Sequence, residues 1–132
     1  MKKIISILCL ITVFASNAFV TEAKASEALS EQIQTVCQLG IMNGNEDGEY
    51  DLTEFVTRAE FAEMVYRIVC GTEDAPGATK AYYNDVNIYH YAAPYIQVLS
   101  EKGIIFGYED GNFYPGNNIT VGQAAAIILR AS

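Results

Sequence analysis

The same 37-residue pattern occurs twice in this chain, offset by 63 positions without a gap, so that residues 33–69 lie over residues 96–132. The identities fall in blocks. Ile33-Gln34 returns as Ile96-Gln97, Gly40-Ile41 as Gly103-Ile104, Gly44 as Gly107, and Glu46-Asp47-Gly48 as Glu109-Asp110-Gly111, while Thr57, Ala62 and Arg67 match Thr120, Ala125 and Arg130. An internal repeat fixes the architecture before any local assignment is made, because each copy must adopt the same supersecondary unit. Positions at which the copies differ then point to what each copy does for itself.

Each copy reads as helix, glycine-rich loop, helix. Leu29, Ile33, Val36 and Cys37 stand at helical spacing, and Gly40 sits where a left-handed residue ends a helix, with Ile41 placed to touch Val36. Gly103, Ile104 and Leu99 repeat that ending. The second helix opens at Thr57, where Thr57 and Glu60 form the S/T-x-x-E capping box and Val56 with Phe61 occupies the staple positions. Thr120 with Gln123, and Ile119 with Ala124, keep the same scheme. Phe61, Ala62, Val65 and Ile68 are the expected inward positions of one copy, and Ala124, Ala125 and Ile128 those of the other. No useful strand-like alternation is present, so the expected class is all-α, built of helix-loop-helix repeats.

Residues 1–25 read as a secretory signal: Lys2 and Lys3, an apolar run over 4–14, then small residues leading to Ala23-Lys24-Ala25, with Ser16-Asn17-Ala18 as a second cleavage site. The apolar run is too short to span a bilayer, which needs about 20 residues. The organisation that follows is a first repeat over 26–70, truncated at its start, a Gly-, Pro- and acid-rich linker over 71–81, and a second repeat over 82–132. Beyond residue 25 the chain has 15 acidic and 5 basic residues, a net charge of −10. Such a balance argues against nucleic acid and anionic membrane as partners, since both need a basic footprint. Cys37 and Cys70 remain, and in an exported chain an even pair suggests a disulfide; the alternative is two buried thiols, with Ser100 replacing Cys37 in the second copy.

Tyr83-x-Asp85-Val86, then His90-Tyr91-Ala92, Gly103-Ile104-Ile105, Gly107, Asp110-Gly111-x-Phe113, Pro115 and Ile119-Thr120 resembles an S-layer homology domain. That family's pattern opens with F-x-D-V, continues with H-W-A and closes on I-T-R-A-E, and the closing motif stands nearly intact as Val56-Thr57-Arg58-Ala59-Glu60. The resemblance implies an attachment module at the cell wall or surface of a bacterium. Since the sequence offers no nucleophile with a partnered base and no carboxylate pair in a defined setting, a secreted, non-enzymatic chain without a cofactor is expected. The resemblance implies non-covalent binding to secondary cell-wall polysaccharide, often pyruvylated, in grooves between neighbouring repeats. Copy two has lost the basic residue of the closing motif, reading Thr120-Val121-Gly122-Gln123, and copy one lacks the aromatic of the opening segment. Arg58, Asp85, His90 and Tyr91 are therefore the glycan-binding candidates, one composite groove from two copies.

Thr57 and Glu60 are explained by helix capping alone. Arg58 is not, because a cation at the first helical position is mildly unfavourable beside the helix dipole. It is expected to lie off the core and, beside free backbone N–H groups, to form an anion site able to take a carboxylate; the alternative is an ion pair with Glu54 or Glu60. Among the crowded tyrosines, Tyr83 and Tyr95 are expected to fill space between helices. A rival reading is a calcium loop with Asn43, Asn45, Asp47, Asp51 and Glu54 as ligands, although copy two does not repeat that set. Fewer than two complete repeats leave Phe61, Val65, Ile68, Ile127 and Ile128 on faces that need cover. Association of the chain with itself or with another repeat-bearing partner is expected.

Overall fold

The computed structural model describes residues 30–42 and 53–132. The expected signal segment and the calcium-loop positions Asn43, Asn45, Asp47 and Asp51 lie outside the described residues. The chain divides into two compact units, Met1–Leu39 and Gly40–Ser132. The described part of the first unit is helix α1, residues 30–38, on which Thr35 Oγ1 donates back to the Glu31 carbonyl at 2.9 Å. Gly40 has φ +65°, as its place after the helix requires.

The second unit holds α2 (Arg58–Cys70), α3 (Ala93–Glu101) and α4 (Val121–Ala131), with α2 packed on both others. Among the described residues there are helices and two isolated bridges but no strand, so the class is all-α. Both capping boxes form. Thr57 Oγ1 accepts from Glu60 N–H while Glu60 accepts from Thr57 N–H, and Thr120 with Gln123 reproduces the pair. At the end of α3, Ile104 N–H reaches the Leu99 carbonyl at 2.9 Å and Gly103 N–H the Ser100 carbonyl at 3.0 Å, with Gly103 at φ +69°. These are the two bonds of a Schellman ending. It turns the chain so that Ile104 and Ile105 re-enter the core.

That core is Ala59, Ala62, Val65 and Tyr66 of α2, Val86 and Ala92 ahead of α3, Ala93, Ile96 and Leu99 of α3, Ile104, Ile105 and Phe113 of the loop, and Ile127 of α4. Four large side chains, Phe113, Ile96, Leu99 and Ile105, are fully buried; each contributes about 1.5–3 kcal/mol of transfer free energy. Tyr83 packs on Phe113 with ring centres 5.3 Å apart, and Tyr95 on Tyr66 at 5.2 Å, both filling space as expected. The residues between α2 and α3 run along the helices: Tyr66 Oη donates to the Asp74 carbonyl at 3.0 Å, and Thr79 N–H to Gln97 Oε1 at 2.8 Å.

Three expected inward positions are corrected. Ile68, Ala125 and Ile128 are exposed, and Ile127 is the buried residue of α4. For the two α4 positions the reason is that α2 is covered by α3 and the loop of the second copy, whereas α4 packs, among the described helices, on α2 alone and so buries a narrower stripe. Cys37 and Cys70 are free thiols, each partly buried.

Candidate functional site

The start of α2 is where the two copies meet. Residues 56–57 run antiparallel to residues 118–119, with Ile119 N–H donating to the Val56 carbonyl at 2.9 Å and Arg58 N–H to the Asn117 carbonyl at 2.8 Å. Ala59 N–H goes to the Pro115 carbonyl at 3.0 Å, and Glu60 N–H to Thr57 Oγ1 at 3.2 Å. The first N–H groups of the helix are thus taken by carbonyls of the second copy and by the cap. The expectation of an anion site made of free N–H groups at this terminus is corrected.

Arg58 is also deeper than its sequence position suggests. It is 5% exposed. Its Nε donates to the Phe113 carbonyl at 2.8 Å and its Nη2 to the Phe106 carbonyl at 3.2 Å. The guanidinium lies 4.4 Å from the centre of the Phe113 ring and 4.9 Å from that of Tyr108. The fold therefore does use Arg58, as the tie between α2 and the loop of copy two. Among the described residues it makes no ion pair with Glu54 or Glu60, and an arginine has five N–H donors, so donors remain beyond those two bonds.

Arg58 also lines a cavity of roughly 190 Å³, together with Phe106, Gly107, Tyr108, Gln123, Ile127 and Arg130. Arg130 Nη1 donates to the Ile104 carbonyl at 3.3 Å, and its guanidinium lies 4.9 Å from the Phe106 ring centre. Gln123 Nε2 donates to Tyr108 Oη at 2.7 Å, which leaves the Tyr108 O–H to donate elsewhere. Two guanidiniums and no carboxylate make up its charged wall, in a chain whose formal net charge is −8. Gly107 is required at the mouth of this loop: a Cβ there would meet the Tyr83 ring at 2.3 Å and the Asn112 carbonyl at 2.7 Å.

The family model of the S-layer homology domain matches residues 22–62 and 82–125. The chain belongs to the S-layer homology domain family. It is 32% identical over 89% of its length to a surface layer protein of Brevibacillus choshinensis and 34% identical over 89% to the middle cell wall protein of Brevibacillus brevis. It is 30% identical over 83% of its length to a cellulosome-anchoring protein of Acetivibrio thermocellus. The chain spans 11% of the length of each of the first two relatives and 25% of the third.

The departures of this S-layer homology chain from its motif acquire a physical meaning in the cavity. Gln123 stands where copy one has Glu60, and an amide keeps the capping box while adding no negative charge to the wall. Arg67, the counterpart of Arg130, is paired with Glu63 at 2.6 Å; four residues before Arg130 the chain has Ala126, so that charge is not neutralised along the helix. Arg130, Tyr108, Phe106 and Gln123 were not among the expected site residues. The absent carboxylate at position 126, read against the repeat, was the available signal for Arg130.

The remaining candidates lie outside the cavity wall. Asp85 is a clamp: Oδ1 accepts from Phe113 N–H at 2.8 Å and Oδ2 from Tyr114 N–H at 2.7 Å. It thereby fixes the residue whose carbonyl holds Arg58. His90 Nδ1 accepts from Ala92 N–H at 3.1 Å, and its ring stacks on exposed Tyr91 with centres 4.9 Å apart. Burial, and after it the carboxylates of Glu60 and Glu63, raise the Tyr91 hydroxyl above its ordinary value. The same two carboxylates disfavour an anion there. Glu54, the one described member of the calcium set, is exposed.

Proposed function

We propose that this chain is a non-enzymatic, exported module that attaches non-covalently to acidic cell-wall polysaccharide, at the surface of a bacterium. The supporting observation is the cavity between the copies, with Arg58 and Arg130 in its wall and no carboxylate. Its volume is below the about 300–1,000 Å³ of pockets that enclose a drug-sized ligand. It suits one acidic sugar, or the carboxylate-bearing substituent of one, rather than an oligosaccharide. Arginine favours a carboxylate through paired N–H donors, and the faces of Phe106 and Tyr108 suit a sugar ring. On this reading Arg58 and Arg130 hold the carboxylate and Tyr108 donates to a ring oxygen. The stacked His90 and Tyr91 offer a second, neutral platform, and Asp85 keeps Arg58 in place. A pyruvyl ketal is the substituent that fits this chemistry best.

The names of the relatives support the cellular setting, since they are surface-layer, cell-wall and anchoring proteins. The division into a signal over 1–25, repeats over 26–70 and 82–132 and a linker over 71–81 belongs to the same reading. The deciding experiment is cosedimentation with purified cell walls, before and after chemical removal of the secondary polysaccharide. Binding should vanish with the polysaccharide, and it should fall at least tenfold in Arg130→Gln, an exposed position whose bond to the Ile104 carbonyl is controlled for by a thermal melt. Equal binding to stripped walls would refute the proposal.

A further inference from the structure

Residues 58, 59, 62, 65 and 66 form one face of α2, and all five are buried. The counterparts 121, 122, 125, 128 and 129 form the same face of α4, and all five are exposed. Val121 is 88% exposed, Leu129 79% and Ile128 57%. The face has moreover become apolar: Val121 replaces Arg58 and Leu129 replaces Tyr66. Contiguous exposed apolar side chains of this kind mark an interaction surface.

The repeat itself says what covers such a face. On α2 it is covered by the first helix and loop of another repeat: Tyr95 of α3 lies against Tyr66, and the Phe106, Phe113, Pro115 and Asn117 carbonyls receive Arg58 and Ala59. The counterpart of α3 in this chain is α1, since residues 30–38 map onto 93–101. Ile96 and Leu99 of α3 are buried against the core, while their equivalents Ile33 and Val36 are partly exposed.

We propose that α4 of one copy receives α1 of a second copy of this chain, head to tail. The contact repeats between chains what α2 and α3 make within one. Because two different surfaces meet, the interface is heterologous, so the assembly closes as a ring or continues as a chain of copies. Moving the Tyr66–Tyr95 contact by one repeat places Leu129 of one copy against Gln32 of the next. This inference does not depend on the glycan cavity, which lies on other residues of α4.

The test uses two full chains in which Cys9, Cys37 and Cys70 are serine, one carrying Leu129→Cys and the other Gln32→Cys. On mixing under mild oxidation they should form the mixed disulfide at least tenfold faster than a control pair of Lys102→Cys with Gln32→Cys. Adding Ile128→Glu should remove the excess, and circular dichroism should show the fold unchanged, since Ile128 is exposed. Sedimentation equilibrium of the native chain should give an average mass that rises with concentration and falls to that of one chain in the Ile128→Glu variant. A rate equal to the control or a constant single-chain mass would each overturn the inference.

Discussion

Gln123→Glu restores the family's closing residue to copy two, and the geometry predicts that it will weaken wall binding without harming the fold. The capping box tolerates the change, because Glu60 already makes the same two bonds at the start of α2. A carboxylate in the first turn also favours the helix dipole, by about 0.3–1 kcal/mol. Stability should therefore hold or rise. In the cavity the sign is reversed. The new carboxylate lines the same cavity as Arg58 and Arg130, and it can accept the Tyr108 O–H that is now left to donate. Two like charges at about 4 Å repel by about 1 kcal/mol in water and about 4 kcal/mol at an effective dielectric near 20. The cavity is open to solvent, so about 1–2 kcal/mol is the appropriate range, a loss of about five- to thirtyfold in affinity. Cosedimentation with cell walls at several protein concentrations reads the affinity, and a thermal melt reads the stability. Unchanged or tighter binding with a normal melt would show that the anion does not sit between these two arginines.

Three further outcomes follow from single contacts. Arg58→Ala should destabilise the chain by about 2–4 kcal/mol, since it strips donors from the Phe113 and Phe106 carbonyls and removes a cation from two aromatic faces; a urea midpoint equal to wild type would refute the tie. Asp85→Ala leaves the Phe113 and Tyr114 N–H groups without their acceptor, and should cost about 2–3 kcal/mol while lowering wall binding through Arg58; binding lost with no change in urea midpoint would instead mean direct ligand contact. Finally, Tyr114 Oη donates to Asp110 Oδ2. That bond holds the Asp110 carboxyl below its ordinary value, and the Asp110 carboxylate raises the Tyr114 hydroxyl above its own. The contribution of Asp110 is present at neutral pH and lost as pH falls below about 4, and that of Tyr114 is lost above about 10. The difference in urea midpoint between wild type and Tyr114→Phe should shrink at both ends; a pH-independent difference would refute the coupling.

The helix boundaries and their caps were legible because they rest on residues close in sequence. Thr57 with Glu60, Thr120 with Gln123, and Gly103 with Ile104 each complete a local hydrogen-bond pattern within a few positions. Arg58 shows where that legibility stops. Viewed as the first residue of a helix it has no structural use, and its burial comes from carbonyls at 106 and 113, some fifty residues away. No periodicity within α2 announces that loop. The same limit explains α4, whose Ala125 and Ile128 repeat the inward pattern of Ala62 and Val65 yet are exposed. A repeated sequence specifies the same helix twice, but the burial of its face is decided by the element that packs on it. For α2 that element is supplied by the second copy. Among the described residues nothing of the second unit covers the matching face of α4, and so two helices that open on the same capping box differ in exposure along that face.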